Sequence, residues 1–200
     1  SVLWDADAGL WKMWYTGNAS GSQSILYATS VDGSTWTNYG KVFGPSENAA
    51  DWDASSVRSP AVLFDQDDNL YKMWYWGNNN GGDPQVYGDR GTGFATSPDG
   101  VNWTRQGQVS DESRLSNGDV LKINGVFYMF SNFGPHIGMS ISLDGLTWHD
   151  YTPNPLIYAG RQSQSWKPSY IDAASMVYDS TVGQMKIYYY GADSSLPFEG

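Results

Sequence analysis

One eight-residue segment in this chain returns almost unchanged, and that repetition limits the fold more than any other feature. Trp11-Lys12-Met13-Trp14-Tyr15-Thr16-Gly17-Asn18 recurs as Tyr71-Lys72-Met73-Trp74-Tyr75-Trp76-Gly77-Asn78, 60 residues later. Phe127-Tyr128-Met129-Phe130 echoes it 56 residues on, and Lys186-Ile187-Tyr188-Tyr189-Tyr190-Gly191 once more. A second signature follows each of the first three copies. Ser30-Val31-Asp32-Gly33-Ser34-Thr35-Trp36 matches Ser97-Pro98-Asp99-Gly100-Val101-Asn102-Trp103 and Ser142-Leu143-Asp144-Gly145-Leu146-Thr147-Trp148. A third precedes the copies: an apolar run ending in Asp, as in Ala61-Val62-Leu63-Phe64-Asp65 and Ser175-Met176-Val177-Tyr178-Asp179. Trp52 and Trp166 stand 114 residues apart, and Val62–Met176, Met73–Ile187 and Gly77–Gly191 keep that offset. Such regularity means one supersecondary unit built several times.

Each unit reads as four strands. In the second copy, strand A covers 60–65, strand B 70–76, strand C 93–97 and strand D 103–108. Apolar and polar residues alternate with period two, and no helical period occurs. Asp-Gly supplies the positive φ and self-bonding side chain that close a hairpin. The expected fold is therefore all-β: a β-propeller of four-stranded blades at about 1–40, 59–109, 118–152 and 172–200, within one domain spanning 1–200. Three and a half blades cannot close a ring and protect their edges. An incomplete five-bladed propeller, with residues missing at both ends, is the expectation, since five blades need about 285 residues. Trp36, Trp103 and Trp148 are read as equivalent packing residues.

Composition narrows the partners. The net charge of −10 argues against nucleic acid, whose phosphates need a basic surface. No run of about 18 apolar residues marks a membrane span. There is no Cys, so disulfides and thiolate metal sites are excluded. Ten Trp and fourteen Tyr suit half-buried sheets and also suit stacking on sugar rings.

The motifs Tyr-Lys-Met-Trp-Tyr-x-Gly (71–77), Ala-Thr-Ser-x-Asp-Gly-x-x-Trp-Thr (95–104) and Trp-Asp-x-x-x-Val-x-x-Pro (52–60) resemble one superfamily. It is that of the five-bladed propeller glycoside hydrolases: arabinanases, levansucrases and invertases of glycosyl hydrolase families 43 and 32. The resemblance runs from Ser1 to Gly191. It implies a carbohydrate substrate, cleavage by carboxylates from different blades, no required cofactor, and an extracellular or periplasmic location. Departures stand beside it. Arg58-Ser59-Pro60 matches an Arg-Asp-Pro motif with Ser59 in place of the Asp, and Ser116 stands where the family has a Glu. A non-catalytic propeller binding carbohydrate or protein is therefore the alternative.

Propeller geometry puts A–B and C–D turns on one face, and D–A and B–C loops around a central mouth. Asp119 and Asp172 fall at or just before strand A starts, where carboxylates could serve as acid and base. The competing reading is a capping role. Arg58 is expected at the same mouth, clamping a sugar hydroxyl, or else paired with Asp53 or Glu47. Trp52 and Trp166 lie in D–A loops, for blade packing first and sugar stacking second. His136, in a B–C loop, is a candidate donor or general acid. The long 78–91 loop carries Asp83, Asp89 and Arg90 and is a candidate rim; calcium held by its carboxylates is a further reading. The Asp-Gly turns at Asp32, Asp99 and Asp144 are expected on the face away from any pocket.

Overall fold

The computed structural model describes residues 1–19, 21–80, 89–110, 118–152, 154–160 and 168–192. Strands β1 (Val2–Asp5), β2 (Leu10–Ala19), β3 (Ser22–Ser30) and β4 (Thr37–Phe43) form the first blade. β5 (Ser56–Asp65), β6 (Leu70–Asn79), β7 (Asp89–Ser97) and β8 (Thr104–Ser110) form the second. β9 (Asp119–Ile123), β10 (Val126–Phe133), β11 (His136–Ser142) and β12 (His149–Asp150) form the third, and β13 (Tyr170–Asp179) with β14 (Gln184–Ala192) opens a fourth. Every sheet is an antiparallel meander with strands side by side in chain order. The chain is thus an all-β array of propeller blades. Its contacts group into two compact units, 1–115 and 116–200, each holding two of these sheets. No helix among the described residues is long and apolar enough to cross a membrane.

In the first unit, the core lies between the two blades. Trp14, Ile25, Tyr27 and Phe43 of blade one meet Val57, Val62, Tyr71, Met73, Tyr75 and Ala95 of blade two. Trp14 is fully buried, and its indole N–H donates to the Gly100 carbonyl at 2.7 Å. Gly100 lies at φ +79, and a Cβ there would sit 2.7 Å from the Trp14 ring. The Gly of Asp-Gly thus serves both the turn and the blade contact. In the second unit, Phe130, Ile137, Ile171, Ala174 and Met176 play the matching part.

The turns explain the repeated letters. The Ser30, Ser97 and Ser142 hydroxyls accept from the Gly33, Gly100 and Gly145 N–H groups at 2.8 to 2.9 Å. Asp32, Asp99 and Asp144 each accept two further main-chain N–H groups at 2.7 to 2.8 Å. Those donors hold the Asp32 and Asp144 carboxyls down at about 2. Trp103 and Trp148 donate their indole N–H to the Gly100 and Gly145 carbonyls of their own turns, at 3.0 and 3.1 Å. Trp36, Trp103 and Trp148 are all half-buried, and Trp103 also packs on the interblade core.

The Lys of the repeat has a partner that the motif alone does not reveal. Lys12 pairs with Asp5 at 2.7 Å, Lys72 with Asp65 at 2.7 Å and Lys186 with Asp179 at 3.0 Å. Each Asp closes the A–B turn with one oxygen and holds the Lys with the other. The third blade has Ile123-Asn124-Gly125 there instead, with Asn124 at φ 51 and Gly125 at φ 80, so its turn needs no clamp.

Candidate functional site

The start of strand A is bulged in both blades where the full strand is described. β5 loses register with β6 between Arg58 and Ala61. β13 loses it with β14 between Asp172 and Ser175, the same place 114 residues on. The bulge lets Val57 and Val62, and likewise Ile171 and Met176, face the same core although five residues separate them. Bulges re-aim side chains and are common beside active sites.

Arg58 and Asp172 occupy equivalent bulge positions, opposite Trp76 and Tyr190. The Arg58 guanidinium lies 3.9 Å from the centre of the Trp76 ring. Its Nε is buried without a hydrogen-bond partner. No described carboxylate is in ion-pair contact with it, and burial lowers its pKa below the ordinary value. The pairing with Asp53 anticipated as one alternative does not form. Asp53 is fully buried and instead accepts from Arg105 Nε and the Tyr75 hydroxyl, both at 2.8 Å. Ser59, next to Arg58, has φ 53, an uncommon value for a side-chain-bearing residue, and its N–H donates to the Thr16 hydroxyl at 2.9 Å.

In the second unit, the Ile171 N–H donates to the Pro135 carbonyl at 3.0 Å. That bond joins the His136 hairpin to the bulged strand one residue before Asp172. His136 Nδ1 accepts from the Ala159 N–H at 3.0 Å, so its neutral form carries the proton on Nε2. Its ring packs against Tyr158 at 5.2 Å. Tyr170 and Tyr190 pair at 6.1 Å, and a hydrogen bond donated by the Tyr170 hydroxyl to Tyr190 raises the Tyr170 pKa, with burial and the Asp172 charge adding to the shift.

Asp119 has a different neighbourhood. One oxygen accepts from the Val120 N–H at 2.9 Å and the other from the Met176 N–H at 3.0 Å. Ser1 makes the equivalent link in the first unit, where the Val62 N–H donates to its hydroxyl at 3.0 Å. Both straps tie the start of one strand A to the middle of the next, a capping role for Asp119. Burial raises the Asp119 pKa above its ordinary 3.8, and the Met176 N–H pulls the other way. The folded state therefore holds a proton on Asp119 more tightly than the unfolded chain does. Its contribution to stability is greatest below about 3.8 and declines as pH rises through the folded value. Asp119→Ala, which strips the Met176 N–H of its acceptor, is expected to cost about 1–2 kcal/mol in urea unfolding. Asp119→Asn should keep the strap and lose that pH dependence. Equal stability of all three proteins would refute the strap.

Trp52 lies nearly parallel to the Tyr75 ring, 6.0 Å away. A Cβ on Gly77 would sit 2.7 Å from its six-membered ring. The shared offset of Trp52–Trp166 and Gly77–Gly191 thus reflects, at Trp52, a ring seated on a glycine. Trp166, Asp83 and Ser116 lie outside the described residues. Asp89 and Arg90 are exposed at the start of β7. No group of three or more His, Asp or Glu able to hold a metal occurs among the described residues.

Asp99 corrects one expectation. It lies on the rim of a cleft of about 640 Å³ between the turns of blades one and two, with Asp5, Tyr71 and Phe64. The Asp5 and Asn69 turns line it together with Lys12 and Tyr71, whose side chains are joined by a hydrogen bond from Lys12 Nζ to the Tyr71 hydroxyl at 2.8 Å.

No family model matches this chain, and no curated protein matches it by sequence. Solved structures do. A glycosyl hydrolase from Bacteroides ovatus aligns over 94 % of this chain and 61 % of its own, with TM-score 0.70 and 18 % identity. A family 117 glycoside hydrolase produced by Zobellia galactanivorans aligns over 94 % and 64 %, with TM-score 0.65 and 15 % identity. The chain has their fold. An N-acetylgalactosamine deacetylase from F. plautii, in complex with blood group B trisaccharide, aligns over 94 % and 61 %, with TM-score 0.65 and 17 % identity. The chain spans 61 to 64 % of the length of these three proteins.

Proposed function

We propose that this chain is part of a glycoside hydrolase-like propeller acting on oligo- or polysaccharides, of the kind found in arabinanases, levansucrases and invertases, outside the cell or in the periplasm. The observation that carries this reading is the alignment of 94 % of the chain with structures described as glycoside hydrolases. Asp172 is the acid/base carboxylate in this reading. Its bulged position and its link to the His136 hairpin support it. His136, with Nε2–H free of the Ala159 bond, would donate to a sugar hydroxyl. In the first unit, Arg58 would be a separate sugar-binding side chain, clamping a hydroxyl beside the Trp76 ring. Asp119 would hold β13 and so keep Asp172 in place.

One observation favours a second reading, a propeller that binds glycan without cutting it. Glycosidic cleavage takes two carboxyl groups about 5 to 9.5 Å apart. Ser59 removes one carboxylate from the family pattern, and the strap engages Asp119. Turnover of α-arabinosides and β-fructosides by the full-length protein separates the two. Asp172→Asn is expected to lower kcat by about 10³-fold with the fold intact. Unchanged turnover would remove Asp172 from the mechanism. A parent that binds glycan yet never cleaves it would establish the binding role.

A further inference from the structure

Nothing in the reading above uses the cleft between the turns of blades one and two. Its volume of about 640 Å³ lies within the span of small-molecule sites, about 300–1,000 Å³. Trp4 and Phe64 both line it. They hold the same register position in successive blades, opposite Trp11 and Tyr71 of their neighbouring strands. Trp4 is 49 % exposed and Phe64 40 %. Two large rings left partly open in one cleft gain nothing for folding from that exposure, and they present flat apolar surfaces to whatever enters. Trp11 braces the Trp4 ring at 5.1 Å, and Tyr71 braces Phe64 at 4.9 Å, so neither ring is loose.

The polar groups choose the ligand class. Lys12 Nζ is shared by the Asp5 carboxylate at 2.7 Å and the Tyr71 hydroxyl at 2.8 Å. Asp5 uses its other oxygen on the Asp7 and Ala8 N–H groups. Asp99 likewise accepts from its own turn. A cationic ligand would meet the Lys12 ammonium and find Asp5 and Asp99 already engaged. An anionic ligand would meet Asp5, Asp7 and Asp99 against one lysine, in a chain of net charge −10. The Gln66 and Asn69 amides and the Asp7 carboxylate offer both donors and acceptors on the rim. Open aromatic rings with mixed donors and acceptors beside them fit a molecule that has flat C–H faces and hydroxyl edges.

We propose that this cleft is a binding site for neutral saccharide, separate from the bulged strand starts at Arg58 and Asp172. It would hold a polysaccharide chain on the turn face of the first unit without taking part in cleavage. The test is affinity electrophoresis of the whole chain through gels containing arabinan, levan, mannan or agarose. The parent is expected to be retarded by at least one of the four. Trp4→Ala and Phe64→Ala are each expected to weaken that retention at least fivefold, with only a modest fall in melting temperature, since each half-exposed ring gives up one aromatic contact. Tyr188→Ala, an exposed ring of the second unit, should match the parent. Asp172→Asn should also retain binding, which separates this site from the proposed catalytic one. Free migration of the parent in all four gels would overturn the proposal. So would unaltered retention of both ring variants, or retention lost in Asp172→Asn alone. If Trp4→Ala does not fold, Phe64→Ala decides.

Discussion

Arg105→Met is expected to destabilise the first unit by about 3 kcal/mol, more than any surface change in the chain. Asp53 is fully buried in the loop between β4 and β5, and its ion partner is Arg105, from the outer strand β8. The same guanidinium donates to the Gly44 carbonyl at 2.7 Å and lies 4.4 Å from the centre of the Phe43 ring. Tyr75 completes the cluster; burial and the Asp53 charge push its hydroxyl far above the usual range, so it stays a donor. One Asp53 oxygen already lacks a partner. Removing the arginine leaves a buried carboxylate with the Tyr75 hydroxyl alone, and breaking such a pair costs about 3–5 kcal/mol. The lower figure applies because the Arg105 side chain is 29 % exposed and water would relieve part of the loss. Met keeps most of the apolar stem against Phe43, which isolates the charge effect. Urea unfolding of Arg105→Met and of Asp53→Asn/Arg105→Met is the check. The double variant should recover most of the loss, because no buried charge is left unpaired. A shift below about 0.5 kcal/mol in the single variant would mean that the cluster does not hold the loop to the blade.

These contacts also show what was legible in the sequence. The all-β fold of four-stranded sheets was legible in the repeats, because each signature marks a local turn or an alternating strand. The Asp32, Asp99 and Asp144 turns could be read as turns, since their bonds join residues at most three apart. The Asp5–Lys12 and Asp65–Lys72 clamps were readable in principle, because both letters recur at a separation of seven across one hairpin. The bulge left a subtler trace: Val57 and Val62 have opposite parity yet belong to one core face. Asp53 was beyond reach. Its partners Tyr75 and Arg105 lie 22 and 52 residues away on different strands, and only the fold brings them together. Asp119 looked like an acid at a strand start, but whether a main-chain N–H meets it depends on how the next blade sits. The turn-face cleft went unseen for the same reason: its walls belong to two blades.

Arg58→Met is expected to lower glycan binding or turnover at least tenfold while leaving stability equal or higher. The two effects share one cause. Arg58 carries its charge half-buried, with Nε lacking any partner and the Trp76 ring as its support. Burial lowers its pKa, so the folded state binds that proton less tightly than the unfolded chain. At every working pH the residue is charged, and the folded state bears the desolvation cost with no counter-ion among the described residues to offset it. Met removes the cost, keeps an apolar contact with Trp76, and should shift the urea midpoint upward or not at all. A hydrogen bond from a charged group to a ligand contributes about 1.5–3 kcal/mol, which is roughly 10- to 150-fold in affinity. That loss appears only with a glycan present. Arg58→Lys sharpens the distinction. It keeps a charge but lacks the planar fork and the ring stacking, so it should lose most of the binding as well. The measurements are urea unfolding without ligand and turnover or retention with the arabinosides and fructosides that the parent takes. A variant destabilised by more than about 2 kcal/mol, with glycan handling intact, would make Arg58 a structural residue whose charge the fold uses.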